Sequence, residues 1–566
     1  MSERQFLPQN LQIRSKEDIL PFYDQLIEAP IENVAAFQSF LKNVSELDSA
    51  VSENLAWRYI RMTCDTLNKE HETDYLTFVQ EIQPHIAPYE DKLNQKIVQC
   101  PFMAELESDP AYHIYFRSLK GAVELFREAN IQLQADVQTL AQEYSAIQGA
   151  MSIVYNDKEY TMQQAGNFLQ RTDRAERETV WKLMFERRNK DTEALESLFD
   201  KMTQMRHQIA LNAGFNNYRD YMFKAMGRYD YSVQDCFDFH QAIEEHVVPL
   251  QVKLAQKRKE LLQLEQLKPW DMAVDPEGRE PLKPFQDGSD LLQRSLHCLK
   301  KVDPWFSDCL NYMHQNNLLD LESRKGKAPG GYNYPLAESN VPFIFMNASG
   351  NLRDVETLVH EAGHAIHSFL MAPLELNAFK NTPSEVAELA SMSMELISMD
   401  GWDAYFSETP ELMRAKLEQL EGVIGTLPWI AQVDAFQHWI YENPTHSREE
   451  RRQTWLSLSR RFGTGMVDYT GHEDALAYSW HKQLHIFEIP FYYIEYGFAQ
   501  LGAIGMWKRY CEDRGMGLQG YKDALTLGYT RSIPEVYQAA GLSFSFSGDY
   551  VQQLFAFLGH EMSILE

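Results

Sequence analysis

Two histidines and a glutamate stand at a spacing that suits a metal site: His360, Glu361 and His364 form the run His-Glu-Ala-Gly-His. Residues four apart in an α-helix lie one above the other, so both imidazoles can reach one cation about 2.1 Å away. Glu361 projects about 100° round the helix from His360, which suits it to deprotonate a water molecule on the metal. The pattern therefore predicts a hydrolytic zinc site.

The flanking residues predict the helix that must carry this motif. Apolar residues recur with helical period from Val355 to Leu370 and put the histidines on a buried stripe, where imidazoles without a partner are poorly placed. His367 shares this face, but at 1.5 Å per residue it lies about 10 Å along the axis from His360. That distance is too long for a third ligand from the same helix, so we expect His367 to be a core histidine or to lie behind the ligands.

A second predicted helix supplies candidates for the third ligand. It opens at Asn381-Thr-Pro-Ser, a helix-start signal, and is otherwise rich in Ala, Met and Leu. Glu385, Glu388 and Glu395 follow at spacings of three and seven, which puts all three on one stripe. Because carboxylates on an apolar helix are rarely buried without a partner, we expect one to face the metal and another to orient a histidine. Spacing alone does not choose among them.

The motifs together resemble a known family. The run HEAGHAIHSF, followed 28 residues after its first histidine by Val-Ala-Glu388-Leu-Ala-Ser, is similar to the M3 family of zinc peptidases, which includes thimet oligopeptidase and oligoendopeptidase F. The shorter bacterial oligoendopeptidase branch fits best. The resemblance implies one Zn²⁺ per chain, held by His360, His364 and Glu388. Glu385 is left as a candidate for orienting a ligand, on physical grounds only.

A third segment offers donors for a transition state. His485 is followed by Pro490 and then by Tyr492, Tyr493 and Tyr496, of which the last two lie three apart and share one helix face. Peptide hydrolysis passes through an oxyanion, and each donor aimed at it can contribute a few kcal/mol. The segment looks like the family's His…Tyr-x-x-Tyr element, which implies His485 and Tyr496 as oxyanion donors and Tyr493 as a substrate-positioning residue.

Upstream of the motif, residues 326–334 read as a glycine-rich loop and residues 341–347 as an apolar strand. The loop lacks the GK[ST] ending of a phosphate-binding loop. A strand beside the metal would offer backbone hydrogen bonds to an extended substrate, and such recognition tolerates many sequences. Broad specificity for peptides is therefore expected.

Composition excludes several classes of protein. With 53 basic and 81 acidic residues the formal net charge is −28, so binding to nucleic acid is not expected. The six cysteines include no CxxC pair, which indicates reduced thiols and neither a disulfide framework nor a structural zinc cluster. No apolar run is long enough to cross a membrane and the N-terminus has no leader-like apolar region, so a cytoplasmic location without membrane contact is expected.

The rest of the chain reads as mainly helical. The exceptions are a hairpin over residues 152–161, with Asn156-Asp157 at its turn, and an irregular connection from Lys268 to Asp290. At 566 residues the chain is longer than a single hydrophobic core usually supports, so more than one core is expected. The resemblance implies two helical lobes around a deep substrate channel, with a small sheet near the zinc. We expect an N-terminal lobe over residues 1–200 and a catalytic lobe over residues 201–566.

These observations predict a zinc-dependent oligoendopeptidase that hydrolyses internal bonds of short unstructured peptides through a water activated by Glu361. One alternative is an exopeptidase of the same fold, a dipeptidyl carboxypeptidase or metallocarboxypeptidase, because those relatives share the motif helix. Another alternative is a peptide-binding module whose zinc is structural. The glutamate of the motif argues against this alternative, since a structural zinc site needs no base. The sequence does not indicate the oligomeric state.

Overall fold

The chain is mainly α-helical, as predicted. The computed structural model describes residues 4–324, 326–328 and 330–566. The helices in this described part are α1 (Leu20–Glu28), α2 (Val34–Cys64), α3 (Lys69–Thr77), α4 (Gln83–Val98), α5 (Met103–Leu106), α6 (Pro110–Leu125), α7 (Glu128–Gly149), α8 (Met162–Gly166), α9 (Arg174–Lys190), α10 (Thr192–Asn212), α11 (Tyr218–Ala225), α12 (Val233–His246), α13 (Val248–Leu261), α14 (Gly288–Val302), α15 (Pro304–Gln315), α16 (Leu352–Met371), α17 (Ser384–Ser398), α18 (Thr409–Glu442), α19 (Arg448–Phe462), α20 (Glu473–Ala477), α21 (Leu484–Glu488), α22 (Tyr493–Glu512), α23 (Arg514–Thr526), α24 (Ile533–Ala539) and α25 (Gly548–Leu565). The strands are β1 (Ser152–Tyr155), β2 (Lys158–Thr161), β3 (Leu319–Glu322), β4 (Tyr332–Leu336) and β5 (Val341–Ala348).

The fold divides into two compact units that are each assembled from three segments of the chain. Unit 1 comprises Met1–Glu124, Lys283–Ala415 and Ala499–Phe544, and unit 2 comprises Leu125–Leu282, Lys416–Phe498 and Ser545–Glu566. The metal motif on α16 lies in unit 1, whereas the tyrosines at the start of α22 lie in unit 2. The division into lobes at residue 200 stays a prediction.

Unit 1 joins the N-terminal helices to the motif region through a hydrophobic cluster. Side chains from α1, α2, α4, α5 and α6 pack together with Leu376 and Phe379, which follow α16 in the chain. Aromatic contacts tighten the junction, since Phe379 meets the ring of Tyr112 with centroids 5.5 Å apart. The N-terminal helices therefore support the loop that leads from α16 into α17.

The sheet of unit 1 has the order β3-β5-β4, with β3 parallel and β4 antiparallel to β5. The strand predicted at residues 341–347 is confirmed as β5, but it is the central strand and has neighbours on both sides. The prediction of a loop over residues 326–334 is wrong for its last three residues, because Tyr332 begins β4; Pro329 lies outside the described residues. Strands β3 and β4 form the two edges of this sheet, so β5 itself has no free edge.

Unit 2 confirms the predicted hairpin. Strands β1 and β2 pair antiparallel, and the turn residues Asn156 and Asp157 have φ of 48° and 59°. Asparagine and aspartate tolerate this left-handed region better than other non-glycine residues, and a type I′ turn requires it at both positions. The segment Lys268 to Asp290 is irregular as predicted, apart from a short 3₁₀ turn at Pro269–Asp271 and the start of α14.

Two further observations concern the whole described chain. Within residues 4–324, 326–328 and 330–566, no helix is long and apolar enough to span a bilayer. All six cysteines fall in this part, and none of them is paired in a disulfide.

Candidate metal centre and active-site residues

Helix α16 begins with a strong cap that fixes where the motif lies. Asn351 caps the helix by accepting a hydrogen bond from the backbone N–H of Asp354. The Asp354 carboxylate in turn accepts from the backbone N–H groups of Ser349, Gly350 and Asn351 at 2.7, 2.8 and 3.1 Å. Such a reciprocal cap satisfies amides that the helix start leaves without partners. The motif follows almost two turns later on a rigid element.

Helix α17 crosses α16 at Gly363, the glycine inside the motif. A Cβ atom at this position would lie 2.7 Å from the carbonyl oxygen of Ala390 and 2.7 Å from Cα of Ser391. Only glycine allows the two backbones to approach this closely without a shift. The crossing brings Glu388 of α17 opposite the two histidines of α16.

The three predicted ligands meet at this crossing. Oε2 of Glu388 lies 3.4 Å from Nε2 of His360 and 3.6 Å from Nε2 of His364. Two ligands bound about 2.1 Å from one tetrahedral ion lie about 3.4 Å apart, so these separations are those of co-ligands and too long for strong hydrogen bonds. The donor set of two imidazoles and a carboxylate, with one position left for water, fits Zn²⁺.

Two of the three candidate ligands, Glu388 and His360, have a partner that fixes their orientation. Ser391, which is fully buried, donates a 2.9 Å hydrogen bond to Oε2 of Glu388. Nδ1 of His360 lies 2.7 Å from Oε1 of Glu395, so the carboxylate accepts the ring proton and directs Nε2 towards Glu388. The expectation that a second glutamate of α17 orients a ligand is therefore met by Glu395. Glu385, the candidate proposed from the sequence, is buried on the same helix.

The charges around His360 favour a cation. Burial lowers the pKa of this imidazole, but the hydrogen bond to Glu395 and the charge of Glu388 outweigh burial and raise the pKa to about 9. His364 behaves differently, because burial and the neighbouring His360 lower its pKa to about 3. Metal binding requires a neutral imidazole; His364 is already in that state, whereas His360 must release the proton on Nε2 when a metal binds.

Glu361 lies beside the ligands without joining them. It is 7% exposed, and its Oε2 makes no hydrogen bond to any described residue. Burial raises the pKa of this carboxyl to about 7; His360 lowers it, whereas Glu388 and Glu395 raise it. Its backbone carbonyl accepts a 3.4 Å hydrogen bond from Asn333 of β4, which ties the edge strand to the helix at this residue. A buried carboxylate with an unused oxygen is available to exchange a proton.

His367 stands apart from the ligand group. It is 2% exposed, burial lowers its pKa to about 3, and its Nε2 makes no hydrogen bond to any described residue. This placement agrees with the expectation that a third histidine of the same helix lies too far along the axis to bind the metal.

The residues predicted as oxyanion donors cluster in unit 2. The ring of His485 lies 4.8 Å from that of Tyr493 and 5.8 Å from those of Tyr492 and Tyr496, measured between centroids. Tyr493 begins α22, and Tyr496 follows one turn later. The structure thus brings His485 together with Tyr492, Tyr493 and Tyr496, the three tyrosines named in the sequence analysis.

A short relay fixes the proton of His485. The indole N–H of Trp429 donates a 2.9 Å hydrogen bond to Oε1 of Gln483, and since an indole only donates, the amide orientation is set. The amide nitrogen of Gln483 then lies 2.8 Å from Nδ1 of His485 and donates to it. The proton of the neutral imidazole is therefore on Nε2, which becomes a donor. Trp429 and Gln483 carry no motif, so sequence reasoning did not find them.

A tight turn connects His485 to the tyrosines. Phe491 is fully buried and has φ of 72°, a conformation that costs about 1 kcal/mol or more for a bulky residue. Its N–H donates a 2.8 Å hydrogen bond to Oε1 of Gln437, and its carbonyl accepts from the guanidinium of Arg228, which also pairs with Glu495 at 2.9 Å. These buried contacts hold the turn that starts α22.

Comparisons with known proteins identify the family of this chain. Residues 167–554 match the model described as Peptidase family M3, and residues 7–126 match the Peptidase M3 N-terminal domain. Oligopeptidase PepF of Bacillus subtilis is 23% identical over 53% of this chain, and the match covers 44% of that relative, about half of its length. Group B oligopeptidase PepB of Streptococcus agalactiae is 22% identical over 94% of this chain and 84% of that protein.

A solved structure supports the same assignment. The structure of PZ peptidase A with inhibitor 2 superimposes with a TM-score of 0.90 at 26% identity, covering 100% of this chain and 99% of that chain. The fold class predicted from the sequence is confirmed as mainly α. Since the family model spans more than half of the residues, this chain belongs to peptidase family M3.

Proposed function

We propose that this chain is a zinc-dependent oligoendopeptidase that cuts internal bonds of short, unstructured peptides. The observation that carries the proposal is the convergence of Nε2 of His360, Nε2 of His364 and Oε2 of Glu388, with the buried carboxylate of Glu361 next to them. When bound to these ligands, a zinc ion supplies a Lewis acid that acidifies a water molecule and polarises a carbonyl.

Glu361 is assigned as the general base. Its carboxylate takes a proton from the attacking water as the water oxygen forms a bond to the carbonyl carbon. The same carboxyl group later returns that proton to the amine nitrogen as the C–N bond breaks. The proton is conserved through the cycle, so the residue ends each turnover as a carboxylate.

His485 and Tyr496 are assigned as donors to the oxyanion, and Tyr493 as a group that positions the substrate. The relay from Trp429 through Gln483 supports this role for His485, because it leaves Nε2 as a donor. Each such donor contributes a few kcal/mol to transition-state stabilisation. An edge strand next to Glu361, β4, supports recognition of an extended peptide through its backbone.

The names of the matched relatives, oligopeptidases and oligoendopeptidases, support short peptides as substrates and do not favour the exopeptidase alternative. A peptide blocked at both termini separates the two activities. We expect the enzyme to cleave it, whereas an enzyme that needs a free C-terminus leaves it intact.

Paired substitutions test the assignment of roles. Glu361→Gln is expected to keep bound zinc and to lower kcat by about 10²- to 10⁴-fold or more, because the base is lost. His360→Ala is expected to lose the metal. Zinc content by elemental analysis and turnover of the blocked peptide are the measurements.

Glu356→Gln is the matched control, since Glu356 is another buried glutamate of α16, one turn before His360, and its carboxylate pairs with Arg353 at 3.0 Å. It should keep both zinc and turnover. Full activity in Glu361→Gln would contradict the general-base assignment, while zinc retained at full stoichiometry in His360→Ala would contradict the ligand assignment.

A further inference from the structure

Two helices of unit 2 present a second group of metal-binding side chains. Helix α12 carries Cys236 and His240, and helix α18 carries Asp434 and His438. Each pair is four residues apart, so its members lie on one helix face. All four residues are at most 2% exposed. The two pairs come from distant parts of the chain, so no short sequence motif contains them.

The side-chain atoms of this group converge. One ligand atom from each of Cys236, Asp434 and His438 lies within 4.8 Å of the other two. Nε2 of His438 is 3.2 Å from Oδ2 of Asp434, yet this contact does not make a hydrogen bond. The separation is close to the 3.4 and 3.6 Å between Glu388 and the two histidines of the first candidate metal centre, His360 and His364. Co-ligands of one ion have this spacing.

Hydrogen bonding alone leaves the group unsatisfied. Both ring nitrogens of His438 and Oδ1 of Asp434 are buried without a hydrogen-bond partner among the described residues. Buried polar atoms nearly always have a partner, and leaving one without costs about 1–3 kcal/mol. The ring of His438 packs against Phe237 and Phe491 with centroids 5.0 and 5.3 Å away, and neither of these side chains can accept or donate a hydrogen bond. Three such atoms in one place indicate a ligand that they share.

The fourth residue explains how the carboxylate is held. Nε2 of His240 lies 2.8 Å from Oδ2 of Asp434 and hydrogen-bonds to it. An orienting hydrogen bond of this kind, from a neighbouring side chain, is usual for a metal ligand.

We propose that Cys236, Asp434 and His438 form a second metal site, which takes a divalent transition-metal ion of the zinc class. Sulfur, nitrogen and oxygen from one residue each suit Zn²⁺ or Co²⁺ and not Mg²⁺ or Ca²⁺, which prefer oxygen ligands only. Binding forms a metal–sulfur bond and releases the thiol proton of Cys236 to solvent. The thiolate and the carboxylate then balance the charge of the ion.

The position of this site indicates a structural role. Its ligand His438 packs on Phe491, whose strained turn leads into the tyrosines of α22, and the neighbouring Gln437 holds the backbone of the same turn. An ion that clamps α12 to α18 would stabilise the surface on which this turn rests.

Cobalt distinguishes the second site from the first. The ligands of the first centre include no sulfur, so a thiolate-to-Co²⁺ charge-transfer band in the near ultraviolet reports on the second site only. We expect the purified full-length protein, stripped of metal and titrated with Co²⁺, to bind two equivalents and to develop this band. The variant His360→Ala should bind one equivalent and keep the band.

Substitutions of two proposed ligands, Cys236 and Asp434, complete the test. Cys236→Ser should bind one equivalent and lose the band, and Asp434→Asn should weaken uptake of the second equivalent. Cys298→Ser is the matched control, because Cys298 is also fully buried but lies in unit 1. It should behave as the unmodified protein. Uptake of one equivalent without a thiolate band in the unmodified protein overturns the proposal, as does a band that survives in Cys236→Ser.

Discussion

Glu395 acts on His360, one of the proposed zinc ligands, through a single hydrogen bond between its carboxylate and the imidazole ring. It accepts the Nδ1 proton at 2.7 Å, which fixes the ring and raises electron density at Nε2. Glu395→Gln keeps the shape of the side chain but removes its charge. We expect zinc affinity to fall by about 10- to 100-fold, measured by competition with a chelator.

Glu385→Gln provides the comparison for this prediction. Glu385 is buried on the same helix and carries the same charge, and it was the residue that sequence reasoning favoured for the orienting role. Its neutralisation should change zinc affinity much less than that of Glu395. An equal loss in both variants would mean that general charge, and not the hydrogen bond to His360, controls affinity.

The choice between these glutamates marks the limit of sequence reasoning at the residue scale. His360, Glu361 and His364 follow from the four-residue spacing on a helix, and the resemblance to a family singled out Glu388. Spacings of three and seven put Glu385 and Glu395 on the same stripe, so period cannot separate them. The choice depends on where α17 crosses α16, which is a tertiary contact.

The proton on His485 gives a second prediction at this scale. Gln483→Leu removes the donor to Nδ1, so the imidazole no longer has a fixed tautomer with its proton on Nε2. We expect kcat/KM to fall by at least about 10-fold, towards the loss of about 10²-fold that removal of an oxyanion donor causes. Zinc content should not change.

Trp429→Phe tests a weaker disturbance of the same hydrogen bonds to His485. It removes the hydrogen bond that orients the amide but keeps the amide itself, so its loss in kcat/KM should be smaller than that of Gln483→Leu. His485→Ala should be the least active of the three. Unchanged kcat/KM in Gln483→Leu would show that the relay does not serve catalysis.

At the scale of elements, the crossing of α16 and α17 determines whether the ligands meet. Gly363→Ala puts a methyl group 2.7 Å from the backbone of Ala390 and Ser391, so the helices must separate. We expect the free energy of unfolding to fall by about 1–3 kcal/mol, as is usual for overpacking, and zinc affinity to fall with it. Chemical denaturation and metal competition measure the two effects.

A second helical glycine supplies the control. Nothing lies within 4 Å of a Cβ added at Gly425 in α18. Gly425→Ala should therefore be neutral or stabilise the protein by up to about 1 kcal/mol, because alanine has the higher helix propensity. Equal stability of Gly363→Ala and the unmodified protein would show that the helices can separate without cost.

The elements themselves were mostly predictable, but their pairing was not. The residues of β5 are apolar, β-branched or aromatic and identify a strand, yet they do not reveal that it occupies the centre of the sheet. Strand β4 was missed because Pro335 and the preceding glycines indicate a loop; proline is tolerated there since β4 is an edge strand. Local patterns specify an element, whereas neighbours across the sheet decide its place.

At the scale of the whole molecule, the sequence indicated more than one core but not how the segments combine. Each unit is built from three separate stretches, joined by contacts between residues hundreds of positions apart. Such contacts leave no periodic signal, so a boundary near residue 200 was the simplest expectation and stays a prediction. The cytoplasmic location also stays a prediction.

Net charge, in contrast, can be read directly and gives a prediction for the whole molecule. A formal charge of −28 produces a negative potential that attracts cationic peptides and repels anionic ones before any contact forms. Because the Debye length is about 8 Å at physiological ionic strength and longer in dilute salt, the effect is strongest at low salt. It acts on association and hence on kcat/KM.

The test uses two blocked peptides with one common cleavage segment and either Lys or Glu residues at positions remote from the cleaved bond. We expect the Lys-bearing peptide to have the higher kcat/KM at low salt, and the ratio of the two values to approach one as salt rises. A ratio of one at all salt concentrations would show that long-range charge has no part in substrate choice. A preference that persists unchanged at high salt would instead indicate a local contact with the charged side chains, since screening weakens only the interactions that act through solvent.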